Sequence, residues 1–174
     1  MTPTEFSQPR GIDMTELNQI KTDSVVRTQL VPLSDMQMVL PNTCIAEVIP
    51  YQQPEPVDNV PDWLLGMINW RGVVIPVISF EAVNGLEFHS DPKQNRIAVL
   101  NGIGGNTDLP FYGLVVQGIP RLLTLDRSSI SAISKPDTKL PMSLEQTQIG
   151  EETAVIPDQD KIEKMLKKQG IKVN

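Results

Sequence analysis

Apolar residues along this chain come in short runs broken by turn formers, and only near the C-terminus do they fall into sustained helical spacing. Leu30, Val31 and Leu33 lead to Ser34-Asp35, after which Met36, Met38, Val39 and Leu40 lead to Pro41-Asn42. Two apolar runs split by turn residues predict a β-hairpin. Thr43 to Ile49 predicts a third strand, stopped by Pro50. The stretch from Gln52 to Asp62 carries Pro54, Pro56 and Pro61 among acidic residues and reads as a surface connection. Leu64 to Ile68 and Val73 to Ile78 predict two more strands. Between them, Asn69-Trp70-Arg71-Gly72 has the size of a tight hairpin loop, and Gly72 can take φ > 0 without steric cost. Pro76 has no N–H for a ladder, which predicts an edge strand or a bulge.

Arg96 to Leu100 and Phe111 to Val116 predict a further strand pair, joined by a glycine-rich loop over 101–110. Ile119 to Leu125 predicts another strand, and Ser128 to about Thr153, with Pro136 and Pro141, reads as irregular. A last strand over Thr153 to Ile156 precedes a helix over Asp158 to Gln169. There Ile162, Met165 and Leu166 form an apolar stripe, acids open the helix, lysines close it and Gly170 follows. Residues 1–24 are predicted to be a tail, or a short docking helix through Met14, Leu17 and Ile20. The sum, nine or ten short strands and one helix, predicts an all-β barrel or sandwich.

Composition narrows the function more than the fold. A chain of 174 residues with 15 prolines and 11 glycines suits short strands in one domain, or two small lobes sharing a core. A net charge of −6 and only 5% aromatic residues argue against nucleic acid as a partner. The N-terminus lacks the apolar stretch of a signal peptide, and Val73 to Phe80 is too short to enter and cross a bilayer. A single cysteine, Cys44, forms no internal disulfide, so a cytoplasmic protein is expected. His89 sits alone in a polar loop and Cys44 inside a strand, so neither has the neighbours of a catalytic or metal site. Gly102, Gly104 and Gly105 lack the Gly-Lys-Ser/Thr of a phosphate loop. Glu151-Glu152 and the Asp58–Asp62 group lie in turn regions. No catalytic, metal or cofactor site is predicted, and a binding module remains.

The stretch from Val60 to Ile78, VPDWLLGMINWRGVVIPVI, resembles the signature of CheW-like coupling proteins of bacterial chemosensory arrays. That family shows a Pro, an aromatic, a Gly, then Asn-Leu-Arg-Gly and an aliphatic-Pro-Val-Ile strand. Leu40-Pro41 with Ile45-Ala46-Glu47-Val48-Ile49-Pro50 is similar to a second family segment, and Tyr112 to Ile119 to a third. The resemblance implies two packed five-stranded SH3-like barrels with a C-terminal helix, residues 25–174 forming one domain of two lobes, and no enzymatic activity. It implies an adaptor in two-component signalling. The partners would be the cytoplasmic tip of a methyl-accepting chemoreceptor and the regulatory domain of a CheA-type histidine kinase. Such a protein is recruited to membrane-bound arrays without inserting in the membrane. Carried over by position, Arg71, with Asn69 and Trp70 beside it, belongs to the receptor-facing surface, and Ile45 and Glu47 to the kinase-facing one. Trp70 replaces the usual Leu, Gln117 stands where Asp is common, and Ser134 to Glu152 departs from the family pattern. These departures resemble the accessory CheW-like proteins (ChpC/PilI type) of pilus-linked systems that govern twitching motility.

Arg71 has two readings from the residues themselves. It is a solvated charge that keeps a hairpin tip soluble, or, beside an indole, a contact of the kind enriched in interfaces. The competing class of function is a small-molecule-binding or enzymatic β-barrel using the Gly102–Asp108 loop.

Overall fold

A computed structural model describes residues 24–105 and 108–171. Its strands are β1 (Val26–Pro32), β2 (Gln37–Pro41), β3 (Ile45–Pro50), β4 (Leu64–Trp70), β5 (Val73–Ile78), β6 (Arg96–Asn101), β7 (Phe111–Val116), β8 (Arg121–Leu125), β9 (Ile130–Ala132), β10 (Ser143–Ile149) and β11 (Glu152–Pro157). Two helices, α1 (Phe80–Val83) and α2 (Gln159–Lys168), complete the described elements with a 3₁₀ turn at Asn42–Cys44. The strands form a six-stranded sheet in the order β8-β1-β2-β11-β10-β9 and a five-stranded sheet in the order β3-β6-β7-β5-β4. The chain therefore starts one lobe, builds the whole of the other, and returns to finish the first. Each sheet contains one parallel pair, β2 with β11 and β5 with β7.

Alternation along the strands distributes side chains among three apolar clusters. Val31, Met38 and Leu40 join Ala98, Leu100, Leu114 and Val116 in a cluster shared by both sheets. Their chain neighbours Leu30 and Val39 turn into the six-stranded lobe, while Ile97, Val99 and Val115 turn into the five-stranded lobe. These strands are covered on both faces, so they read as continuous apolar runs rather than alternating ones. Phe80 of α1 and Ile162 and Leu166 of α2 fill the shared cluster. Asp158 caps α2 by accepting a hydrogen bond from Lys161 N at 3.0 Å, and Gly170 follows the helix with φ 67°. Met165, expected in its stripe, is only half-buried; Glu163 is buried instead.

Four expectations change. The region 128–153 is not irregular: it supplies β9 and β10. In β10 only Thr147 and Ile149 are buried, so its sequence carries little apolar signal. The six-stranded sheet exceeds the expected five because β9 adds to its edge. Strand β5 is interior, between β7 and β4. Pro76 is tolerated because pairing with β7 begins only at Val77, beyond the missing N–H. The Gln52–Asp62 connection is partly built into the sheet, since Glu55 and Met67 exchange backbone hydrogen bonds of 2.8 and 2.9 Å along the β4 edge. Gly66 permits that approach: a Cβ there would stand 2.2 Å from the Glu55 carbonyl oxygen. The suggested N-terminal helix lies outside the described residues.

Candidate functional site

The β4–β5 hairpin turns on two residues, not four, because Trp70 pairs with Val73 as the last ladder position. Arg71 and Gly72 occupy the turn with φ of 51° and 81°. Two consecutive positive φ values mark the type I′ hairpin turn, whose first position ordinarily takes Asn, Asp or Gly. Arg71 is therefore held in a left-handed conformation that a long side chain adopts at a cost. Asn69 Oδ1 closes the turn by accepting a hydrogen bond from Gly72 N at 2.9 Å.

The side chains that hold Arg71 come from the far edge of the same sheet. β3 and β4 are its two outer strands, yet Glu47 Oε2 on β3 accepts hydrogen bonds from Trp70 Nε1 at 2.7 Å and Arg71 Nε at 3.2 Å. The sheet therefore curls until its edges meet at this mouth. The Arg71 guanidinium carbon stands 5.3 Å from the Trp70 ring centroid, a cation–π arrangement. The indole also meets Phe111 edge-on, with centroids 4.8 Å apart. Trp70 thus belongs to both core and surface: half-buried, it packs on the five-stranded lobe's cluster and carries Glu47 and Arg71 outside. Hydrogen bonds from Trp70 and then Arg71 hold the Glu47 carboxyl below the usual carboxylate range. The Arg71 side chain remains 70% exposed, which leaves donors of its guanidinium fork toward solvent. Val74, cross-strand from Asn69, is also exposed and adds an apolar flank.

Of the five residues singled out in the sequence, Glu47, Trp70 and Arg71 form one hydrogen-bonded group, and Asn69 closes its turn. Ile45 does not join them. A register shift between Ile45 and Glu47 inserts an extra residue, so Ile45 packs on the shared cluster while Glu47 reaches the hairpin. Glu47 and Arg71, expected on two partner-facing surfaces, are joined by a direct hydrogen bond. Phe111, which backs the indole, carried no sequence signal beyond its place in a strand.

The glycine-rich loop is tied down rather than loose in its described part. Ile103 N and Gly104 N donate to the buried Glu163 carboxylate at 2.6 and 2.9 Å. A helix carboxylate thus occupies the amide donors that an anionic ligand would need. Burial pushes the Cys44 thiol pKa up, away from the thiolate of a reactive cysteine. His89 and Glu87 approach to 3.6 Å at an exposed site. Among the described residues, no cluster of His, Cys, Asp and Glu could hold a metal ion. Nor is any described helix long and apolar enough to cross a membrane.

Comparison with known proteins agrees with this architecture. A chemotaxis protein CheW from Klebsiella aerogenes is 27% identical over 89 residues, which are 49% of this chain and 49% of that protein. The chain thus matches about half the length of that curated relative. The crystal structure of the scaffolding protein TtCheW from Thermoanaerobacter tengcongensis superposes with a TM-score of 0.65 at 19% identity, covering 77% of this chain and 84% of that one. The two lobes therefore have the two-barrel, SH3-like arrangement of that fold. The CheW-like domain profile matches residues 27–166, from β1 to the end of the α2 stripe, and the chain belongs to the CheW-like domain family.

Proposed function

We propose that this protein is a non-enzymatic scaffold that couples a chemoreceptor's cytoplasmic tip to the regulatory domain of a CheA-type histidine kinase, in the cytoplasm and at receptor arrays. The observation that carries this reading is the Arg71 tip. An exposed guanidinium is fixed in a costly left-handed turn by Glu47 and Trp70. That arrangement lowers the entropy lost when a partner carboxylate or carbonyl engages it. The relatives, a chemotaxis protein and a scaffolding protein by name, support the same class of role. Within it, Arg71, Asn69 and Trp70 face the receptor, and Ile45 and Glu47 lie toward the kinase. The direct bond between Glu47 and Arg71 makes the two surfaces neighbours, so a change at one is felt at the other. The finer assignment, an accessory component of a pilus-linked system, rests on the Trp70, Gln117 and 134–152 departures from the family pattern.

The test is capture of a purified receptor tip fragment and a kinase regulatory domain by the wild type and by Arg71→Asp. The substitution removes one exposed ion pair, so stability should change by less than about 1 kcal/mol. Capture of at least one partner should be lost. Undiminished capture of both would contradict the assignment of Arg71.

A further inference from the structure

At the mouth of the six-stranded lobe, Val26, Val39, Leu125, Ile130 and Ile156 line an apolar cavity of about 360 Å³. The cluster behind it holds Leu30, Val39, Leu125, Ile149 and Ala154, with no aromatic ring among its described members. Val26 stands half in solvent at the rim. Apolar surface of this kind in a soluble protein ordinarily marks a contact.

We propose that this mouth is the docking site of the chain's own N-terminal segment, with Met14, Leu17 and Ile20 as the side chains that enter it. Three observations carry the choice of occupant. Ser24, the first described residue, itself lines the cavity, so the preceding chain departs from its rim. Met14, Leu17 and Ile20 recur every third position in a stretch otherwise polar from Asp13 to Asp23, the sequence complement of an apolar slot. The size also fits: a cavity of about 150 Å³ takes a benzene, so this one has room for two or three aliphatic side chains. Ile20 lies four residues from Ser24, a reach of up to about 14 Å when extended. A tether that short sets an effective concentration in the millimolar range, at which a contact of sub-millimolar intrinsic Kd is mostly formed. The Arg71 tip plays no part, so this inference and the adaptor reading stand or fall separately.

Methyl NMR of the full chain tests it. The triple variant Met14→Asp, Leu17→Asp, Ile20→Asp and the milder Leu17→Ser are compared with wild type. The δ1 methyl signals of Ile130 and Ile156 should move in both variants, while those of Ile68 and Ile97 in the five-stranded lobe stay in place. Binding of a hydrophobic dye should rise several-fold in the triple variant, and all three proteins should sediment as monomers. Unmoved Ile130 and Ile156 methyls would overturn the proposal. So would a wild-type dimer whose dissociation accounts for the shifts, because a second copy would then be the occupant.

Discussion

At the mouth of the five-stranded lobe, Trp70 and Phe111 meet edge to face, with Tyr51 and Phe88 against the same cluster. At the mouth of the six-stranded lobe stand aliphatic side chains around an open cavity. The two lobes share a layout, each an antiparallel sheet with one parallel pair, and share one apolar cluster between them. The first lobe is sealed by its own rings and uses the seal as a platform: the indole that caps the core also fixes Glu47 and Arg71 outside. The second leaves its seal to something beyond the strands. A mouth packed by aromatic rings and a mouth lined by aliphatic side chains are thus two uses of the same scaffold.

The shared cluster should make the lobes unfold together. Phe80 is completely buried between them, so Phe80→Ala should cost about 3–5 kcal/mol. Urea curves followed by far-UV circular dichroism and by tryptophan fluorescence should still coincide. Two separate transitions would show that the lobes are independent units.

A finer comparison adds bulk to each lobe. Val115 has no exposed surface, so Val115→Phe should overpack the five-stranded lobe and cost about 1–3 kcal/mol. Ile156 borders the cavity assigned above to the N-terminal segment, and a larger ring there displaces that tethered segment rather than strand packing, so Ile156→Phe should change stability by less than about 1 kcal/mol. Equal penalties in thermal melts would refute the contrast between a mouth packed by its own strands and one that the strands leave open.

The smallest effect is electrostatic. The Glu47 pKa is depressed in the fold by Trp70 and Arg71. Its stabilising contribution is therefore present above the unfolded carboxylate range and is lost as pH falls through the lower folded value. Glu47→Gln should flatten that part of the acid limb and leave the neutral-to-alkaline profile parallel to wild type. An unchanged acid limb in denaturation experiments would mean that the bonds to Glu47 add nothing.

Much of this was legible in the chain. The hairpins around Leu30–Leu40 and Leu64–Ile78 follow from apolar runs and turn residues, and α2 from agreeing caps, charges and spacing. β10 was not legible, because a strand with two buried residues, reading SLEQTQI, looks like loop. The site was half legible. Arg71 stood out as a charge amid apolar residues, but its left-handed backbone did not, since Arg-Gly lacks the usual Asn or Asp of such a turn. Nor did its bond to Glu47, which spans 24 positions and exists only because the outer strands of one sheet curl together. Local pattern reports which elements form; it does not report which sheet edges meet.

The central claim, that the Arg71 tip is a binding surface, is tested most directly by calorimetric titration with Arg71→Asn. Asn tolerates the left-handed turn, and the exposed ion pair it removes is worth no more than about 1 kcal/mol. The melting temperature should therefore stay within a few degrees of wild type. Affinity for the receptor tip or the kinase regulatory domain should fall by about 2 kcal/mol, roughly thirtyfold, as for a hot spot. Titration curves that superimpose on the wild type for both partners would contradict the account.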